Sequence, residues 1–125
     1  MDQDTKEKDM DDDTLMNALI LMPEELAEKI PELYEQDGKG ADTIIYAKIF
    51  NPVGQATWYI AEYDGEDLAF CYAVVLGPQE AEWGYQSMKE LQEYKMSTTF
   101  PGLTLERDIW WEPKRFGDIN LETAS

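Results

Sequence analysis

Apolar positions fall into two regimes, helical spacing over the first third of the chain and strand-like runs after it. Leu15, Ala18, Leu19 and Met22 keep helical spacing behind Thr14, which predicts a helix capped by that threonine. Pro23 suits the first turn of a second helix. There Leu26, Ile30, Leu33 and Tyr34 recur at i, i+4, i+7 and i+8, and Glu24, Glu25, Glu28, Glu32 and Glu35 fill the other side. Pro31 inside that pattern predicts a kink or restart, and Asp37-Gly38-Lys39-Gly40 ends it.

Residues 43–50 are rich in β-branched and aromatic side chains and predict a strand, followed by the turn Asn51-Pro52-Val53-Gly54. Residues 57–63 alternate, with Trp58 and Ile60 on one face and Tyr59, Ala61 and Tyr63 on the other. Asp64-Gly65 is a hairpin signal, and the continuously apolar run 68–76 reads as a central strand closed by Gly77-Pro78. A short strand over 82–86 leads into the capping box Ser87-Met88-Lys89-Glu90 and a helix ending near Lys95. Residues 103–112 predict a further strand, with Leu105, Arg107 and Ile109 on one side, stopped by Pro113. The fold class is therefore α+β: an antiparallel β-sheet, a three-strand meander plus one or two further strands, packed with two to three helices. One domain is expected over 14–113, between a disordered acidic tail (1–13) and a loosely structured C-terminus (114–125).

Composition changes the picture mainly through charge. Twenty-seven acids oppose ten bases, for a net charge of −17. The tail holds seven acids and two lysines, so it accounts for −5 and the remainder still carries −12. Such a surface repels nucleic acid and anionic membrane and attracts a basic protein partner. Histidine is absent and Cys71 is the one cysteine. That removes imidazole acid–base chemistry, any disulfide within the chain and any thiolate cluster, so no cofactor and no metal is expected. The apolar runs are too short to span a bilayer and the N-terminus does not read as a signal peptide, so a cytoplasmic location is expected.

Three constellations are candidates for function. No basic residue falls between Lys48 and Lys89, whereas Glu62, Asp64, Glu66, Asp67, Glu80 and Glu82 all do, as an acidic face for a basic groove would require. The plainer reading is that turn acids are solvated, with Asp64 and Asp67 there for hairpin chemistry. Arg107, between Leu105 and Ile109, is expected to point inward and pair with Glu62 or Glu82, as a fold-specific ion pair or an anion site. Trp83, Trp110 and Trp111 are candidate interface aromatics, the last two because neighbours in a strand face opposite ways.

The order of short motifs resembles a bacterial family catalogued as domain of unknown function 2958. The resemblance runs from Met22-Pro23-Glu24-Glu25-Leu26 and Ile30-Pro31-Glu32-Leu33-Tyr34 through Lys48-Ile49-Phe50, Ala56-Thr57-Trp58-Tyr59 and Glu62-Tyr63-Asp64-Gly65. It continues with Glu82-Trp83-Gly84-Tyr85, Ser87 and Glu90-Leu91, and closes with Leu105-Glu106-Arg107-Asp108 and Glu112-Pro113. It implies carriage on a plasmid or other mobile genetic element and supplies no catalytic residue. The acidic N-terminal extension and Trp83, where an aliphatic residue is more usual, depart from the pattern. Three functions are then expected to compete. They are a DNA-mimicking protein-binding module that inhibits a host nucleic-acid enzyme, a small carboxylate-dependent hydrolase built on Glu62, Glu82 and Arg107, and a structural self-associating domain.

Overall fold

The computed structural model describes residues 11–94 and 104–120. Most of the expected acidic tail, the helix end at Lys95 and the strand start at Leu103 lie outside the described residues. Helix α1 (Asp12–Leu19) begins earlier than expected, because Asp11 and not Thr14 is its cap. The Asp11 carboxylate accepts the Thr14 N–H at 2.7 Å, and Asp12 and Asp13 place negative charge at the positive end of the helix dipole. Helix α2 (Glu24–Ala27) is one turn long, and the apolar spacing through Tyr34 is not continued as helix beyond it. Pro31 has no N–H to continue the ladder and disfavours helical geometry in the residue before it. Tyr34 thereby leaves the expected apolar face, and sits exposed at φ 74°.

The predicted strand 43–50 divides at Tyr46 into β1 (Ile44–Ile45) and β2 (Ala47–Phe50). The other strands are β3 (Thr57–Tyr63), β4 (Leu68–Val74), β5 (Glu82–Ser87), β6 (Glu106–Arg107) and β7 (Lys114–Arg115). Five of them form one antiparallel sheet in the order β5-β4-β3-β2-β6, while β1 pairs with β7 in a two-stranded sheet. The architecture is α+β, with the expected meander widened by one strand on each side. Helix α3 (Met88–Glu93) follows β5 directly, capped by Ser87, whose hydroxyl accepts the Glu90 N–H.

Every residue of β3 is buried, because both faces of the sheet are covered. On one face Trp58, Ile60 and Cys71 meet Leu21, Ile30, Met88 and Leu91 from the helical side. On the other, Tyr59, Ala61 and Val74 lie under Trp111, Phe116 and Ile119. A β-bulge between Ile60 and Glu62 breaks the alternation. Tyr63 therefore joins the face of Trp58 and Ile60, contrary to simple period-two reading, and Glu62 pairs across from Phe70.

Two expectations for the C-terminal part are corrected. Beyond Arg107 the chain turns instead of extending: the Asp108 side chain accepts the Trp110 N–H at 2.9 Å and its carbonyl accepts the Trp111 N–H. Trp110 and Trp111 are thus turn residues and not opposite faces of a strand. Residues 114–119 are not loose either, since β7, a 3₁₀ turn (Phe116–Asp118) and Ile119 form the cover of the second face. Arg115 fastens that cover by donating to Asp42 at 2.7 Å and Asp118 at 3.1 Å. Among the described residues no helix is long and apolar enough to cross a membrane.

Candidate functional site

The six acids proposed as one face separate into three environments. Glu62 is only 3% exposed. Its two carboxylate oxygens accept the backbone N–H groups of Tyr34 and Gln36, each at 2.8 Å. Asp64, Glu66 and Asp67 lie at the β3–β4 turn, whereas Glu80 and Glu82 lie at the opposite end of the sheet, beyond β4 and at the start of β5. Seven residues of β4 separate the two groups, roughly 20 Å of extended chain. A single continuous acidic face does not form from them, because an antiparallel meander sends successive turns to opposite ends.

Two of the turn acids also carry structural bonds. Asp64 Oδ1 accepts the N–H groups of Glu66, Asp67 and Leu68. Asp67 accepts from the Lys89 N–H and the Ser87 hydroxyl, tying the turn to the start of α3. Hydrogen-bond donors hold both carboxyls below their ordinary value of 3.8: chiefly the Asp67 and Glu66 N–H groups for Asp64, and the Lys89 N–H and then the Ser87 hydroxyl for Asp67. A depressed folded-state value means the ionised group favours the fold, and that contribution is lost as pH falls through the folded value. Urea midpoints are therefore expected to drop as pH falls below 3.8. The Asp64→Asn and Asp67→Asn pair should flatten that acid limb, and an unchanged limb would contradict these roles.

Arg107 does not meet Glu62 or Glu82. Its Nε donates to the Ile20 carbonyl at 2.9 Å, and an Nη donates to the Asn17 carbonyl and side-chain oxygen. A cation at the negative end of α1 bonds the Ile20 carbonyl and shares the Asn17 carbonyl with the Ile20 N–H. The sheet order explains the lost pairing: Arg107 is on edge strand β6, Glu82 on the opposite edge strand β5, and Glu62 inside β3. The three do not converge, so the carboxylate-dependent hydrolase loses the arrangement that motivated it. Among the described residues, no group of three or more cysteines and acids is placed to hold a metal. Cys71 is buried and its thiol is pushed up to about 12 by desolvation.

What the fold does assemble is a ladder of rings along the second face. Tyr34, Tyr85, Phe70 and Trp83 follow one another at centroid separations of 6.5, 5.1 and 5.3 Å, and Trp83 continues to Phe116 at 4.9 Å. Trp83 is thus a stacked member of this ladder and not a free anchor. Trp111 is half-buried too, its indole N–H donating to the Ile45 carbonyl, whereas Trp110 is exposed. The outer part of the ladder, Tyr34, Phe70, Trp83 and Tyr85, walls a cavity of about 240 Å³ completed by Gln36, Asp37, Gly38 and Glu62.

Helical spacing by itself places Tyr34 on a helix face and Asp37 at the helix end, and so gives no sign of this cavity. Pro31 is the signal that frees Tyr34 from the helix. Buried Gln36 secures the loop: its amide donates to the Ala61 and Ile44 carbonyls and accepts the Ile44 N–H. The Tyr85 hydroxyl is pushed up to about 12, first by hydrogen bonding to the Tyr34 side chain, then by desolvation and the nearby Tyr34, Glu62 and Asp37. No Lys or Arg is among the residues lining this space. A second cavity of about 290 Å³, beside Arg107 and Trp110, carries Lys48 and Arg107 against Glu106 and Asp108, and so favours neither sign of charge.

Fold and cavity together define a small acidic α+β protein with an aromatic recess on the second face of its sheet. The family model described as "Protein of unknown function (DUF2958)" matches residues 21–124, and the chain belongs to that family. The match takes in residues 114–119, which cover the second face of the sheet. No curated protein and no solved structure matches it.

Proposed function

We propose that this protein is a non-enzymatic binding module, of mobile-element origin, for a basic protein partner, which it docks at the hairpin end of its sheet. The observation that carries the reading is the recess of Tyr34, Phe70, Trp83 and Tyr85, which holds Glu62 and Asp37 and has no basic residue in its lining. Aromatic rings at the mouth of a recess supply rigid contact area, and Tyr34 and Tyr85 are both exposed there. Asp64, Glu66 and Asp67 stand near the Glu62 side of the recess, because only the pair Tyr63–Ala69 separates the Glu62–Phe70 pair from that turn. Beyond the tail the chain still carries −12, which speeds encounter with a cationic surface. A nucleic-acid enzyme of the host, whose substrate groove must be basic, is a partner of the right chemistry.

The test is affinity capture from bacterial lysate on the immobilised full chain, at low and at moderate salt. A basic nucleic-acid enzyme is expected to be retained at low salt, to be released by added duplex DNA, and to be lost with the Tyr34→Ala/Tyr85→Ala double variant. Retention of no such enzyme at low salt, or equal retention by the double variant, would sink the reading.

A further inference from the structure

We infer that the aromatic recess is an anchor site for a single cationic side chain, an arginine or lysine presented by the partner. This deepens the proposed function and rests on it for the source of the cation, but the recess itself is argued from its own geometry.

Four aromatic residues line one space, with Phe70 and Trp83 stacked at 9° and Tyr85 tilted at 53° to Phe70. Ring faces attract cations, because each carries negative charge above and below its plane. Two carboxylates, Glu62 and Asp37, share the space with no lysine or arginine in its lining. A carboxylate has about four acceptor positions. Glu62 uses one on each oxygen for the Tyr34 and Gln36 amides, so acceptor capacity remains for a guest. An anionic guest would meet two like charges, and a neutral apolar guest would leave those carboxylates desolvated without return. The volume, about 240 Å³, accommodates one long side chain and not a folded element.

A second observation, independent of charge, is the backbone at Tyr34. It is the one residue other than glycine with positive φ among the described residues, at 74°. A bulky side chain is rarely found in that region, and a residue held there is held by its surroundings. Here the holding group is Glu62, which accepts the Tyr34 N–H, and the result is a ring set edge-on to Tyr85 over the recess. A tyrosine that served only to cover the sheet would not need to be two-thirds exposed, as this one is at 67%.

The test uses the full chain and capped tripeptides, acetyl-Gly-Arg-Gly-amide and acetyl-Gly-Lys-Gly-amide, against neutral acetyl-Gly-Gln-Gly-amide, followed by amide shifts in two-dimensional NMR. Saturable shifts confined to Tyr34, Gln36, Gly38, Phe70, Trp83 and Tyr85 are expected with the cationic peptides and absent with the glutamine peptide. Tyr85→Leu, which keeps apolar volume but removes the ring, is expected to weaken binding roughly five-fold, and Asp37→Asn to weaken it by a similar factor. Both positions are exposed, so folding is not at stake. Shifts spread over all surface acids, equal binding of the glutamine peptide, or no effect of either substitution would overturn the inference. If tetramethylammonium binds as tightly as the arginine peptide, the guest is a free small cation and the assignment to a partner's side chain is wrong. Peptide binding without any enzyme captured from lysate would sink the proposed partner while leaving the cation site standing, and the reverse result would do the opposite.

Discussion

Replacing Glu62 with alanine is expected to lower the unfolding free energy by about 3 kcal/mol. The side chain is almost wholly buried and accepts two backbone N–H groups from a loop that has no helix to satisfy them. Without it both donors lose their partner inside the protein, and a buried orphan donor costs on the order of 1–3 kcal/mol. The Tyr34 backbone, held at positive φ by one of those bonds, is then free to relax. Glu62→Gln keeps the size but presents an NH₂ to one of the two donors, so a smaller loss, about 1–2 kcal/mol, is expected. Urea unfolding followed by tryptophan fluorescence measures both. A loss under about 0.5 kcal/mol for the alanine variant would put Glu62 among ordinary surface positions and would be incompatible with the recess as described.

Ending the chain at Pro113 is expected to cost more, about 4 kcal/mol or over, a large share of the roughly 5–15 kcal/mol by which a domain is stable. The deletion removes β7 and with it the partner of β1. It also removes Phe116, which packs at 4.7 Å from Tyr72 and 4.9 Å from Trp83, and Ile119 beside them. Tyr59 and Val74, buried beneath this cover, would face water. The expected readouts are a large drop in the urea midpoint and binding of a hydrophobic dye by the truncated chain. An unchanged midpoint would mean that residues 114–119 contribute no more than the composition of a polar tail suggests. The two losses also differ in kind: the Glu62 variant should alter the recess while leaving the sheet intact, whereas the truncation should loosen the whole second face.

Strands β3, β4 and β5 and the capped start of α3 were legible because their signals are local. Residues 57–60 alternate, Asp64-Gly65 turns, and Ser87 caps within four residues of its partner, so neighbouring side chains suffice to specify them. The recess was not legible, because its walls come from a loop, from β3, from β4 and from β5, and nothing in the spacing of Tyr34, Glu62, Phe70 and Tyr85 relates them. The short helix α2 shows the boundary between the two cases: the apolar spacing through Tyr34 is real, yet one proline outweighs it.

By itself, then, the sequence determined the α+β class, the antiparallel meander, the net negative charge and the absence of imidazole chemistry. Each is a property of composition or of residues a few positions apart. Tertiary structure alone decided where the polar groups go. One extra residue at the bulge moves Tyr63 to the other face and sets Glu62 opposite Phe70, since alternation assigns faces only while register holds. Arg107 takes the end of α1 because helix and strand edge meet there, and residues 114–119 become structure because a sheet with two apolar faces must cover both.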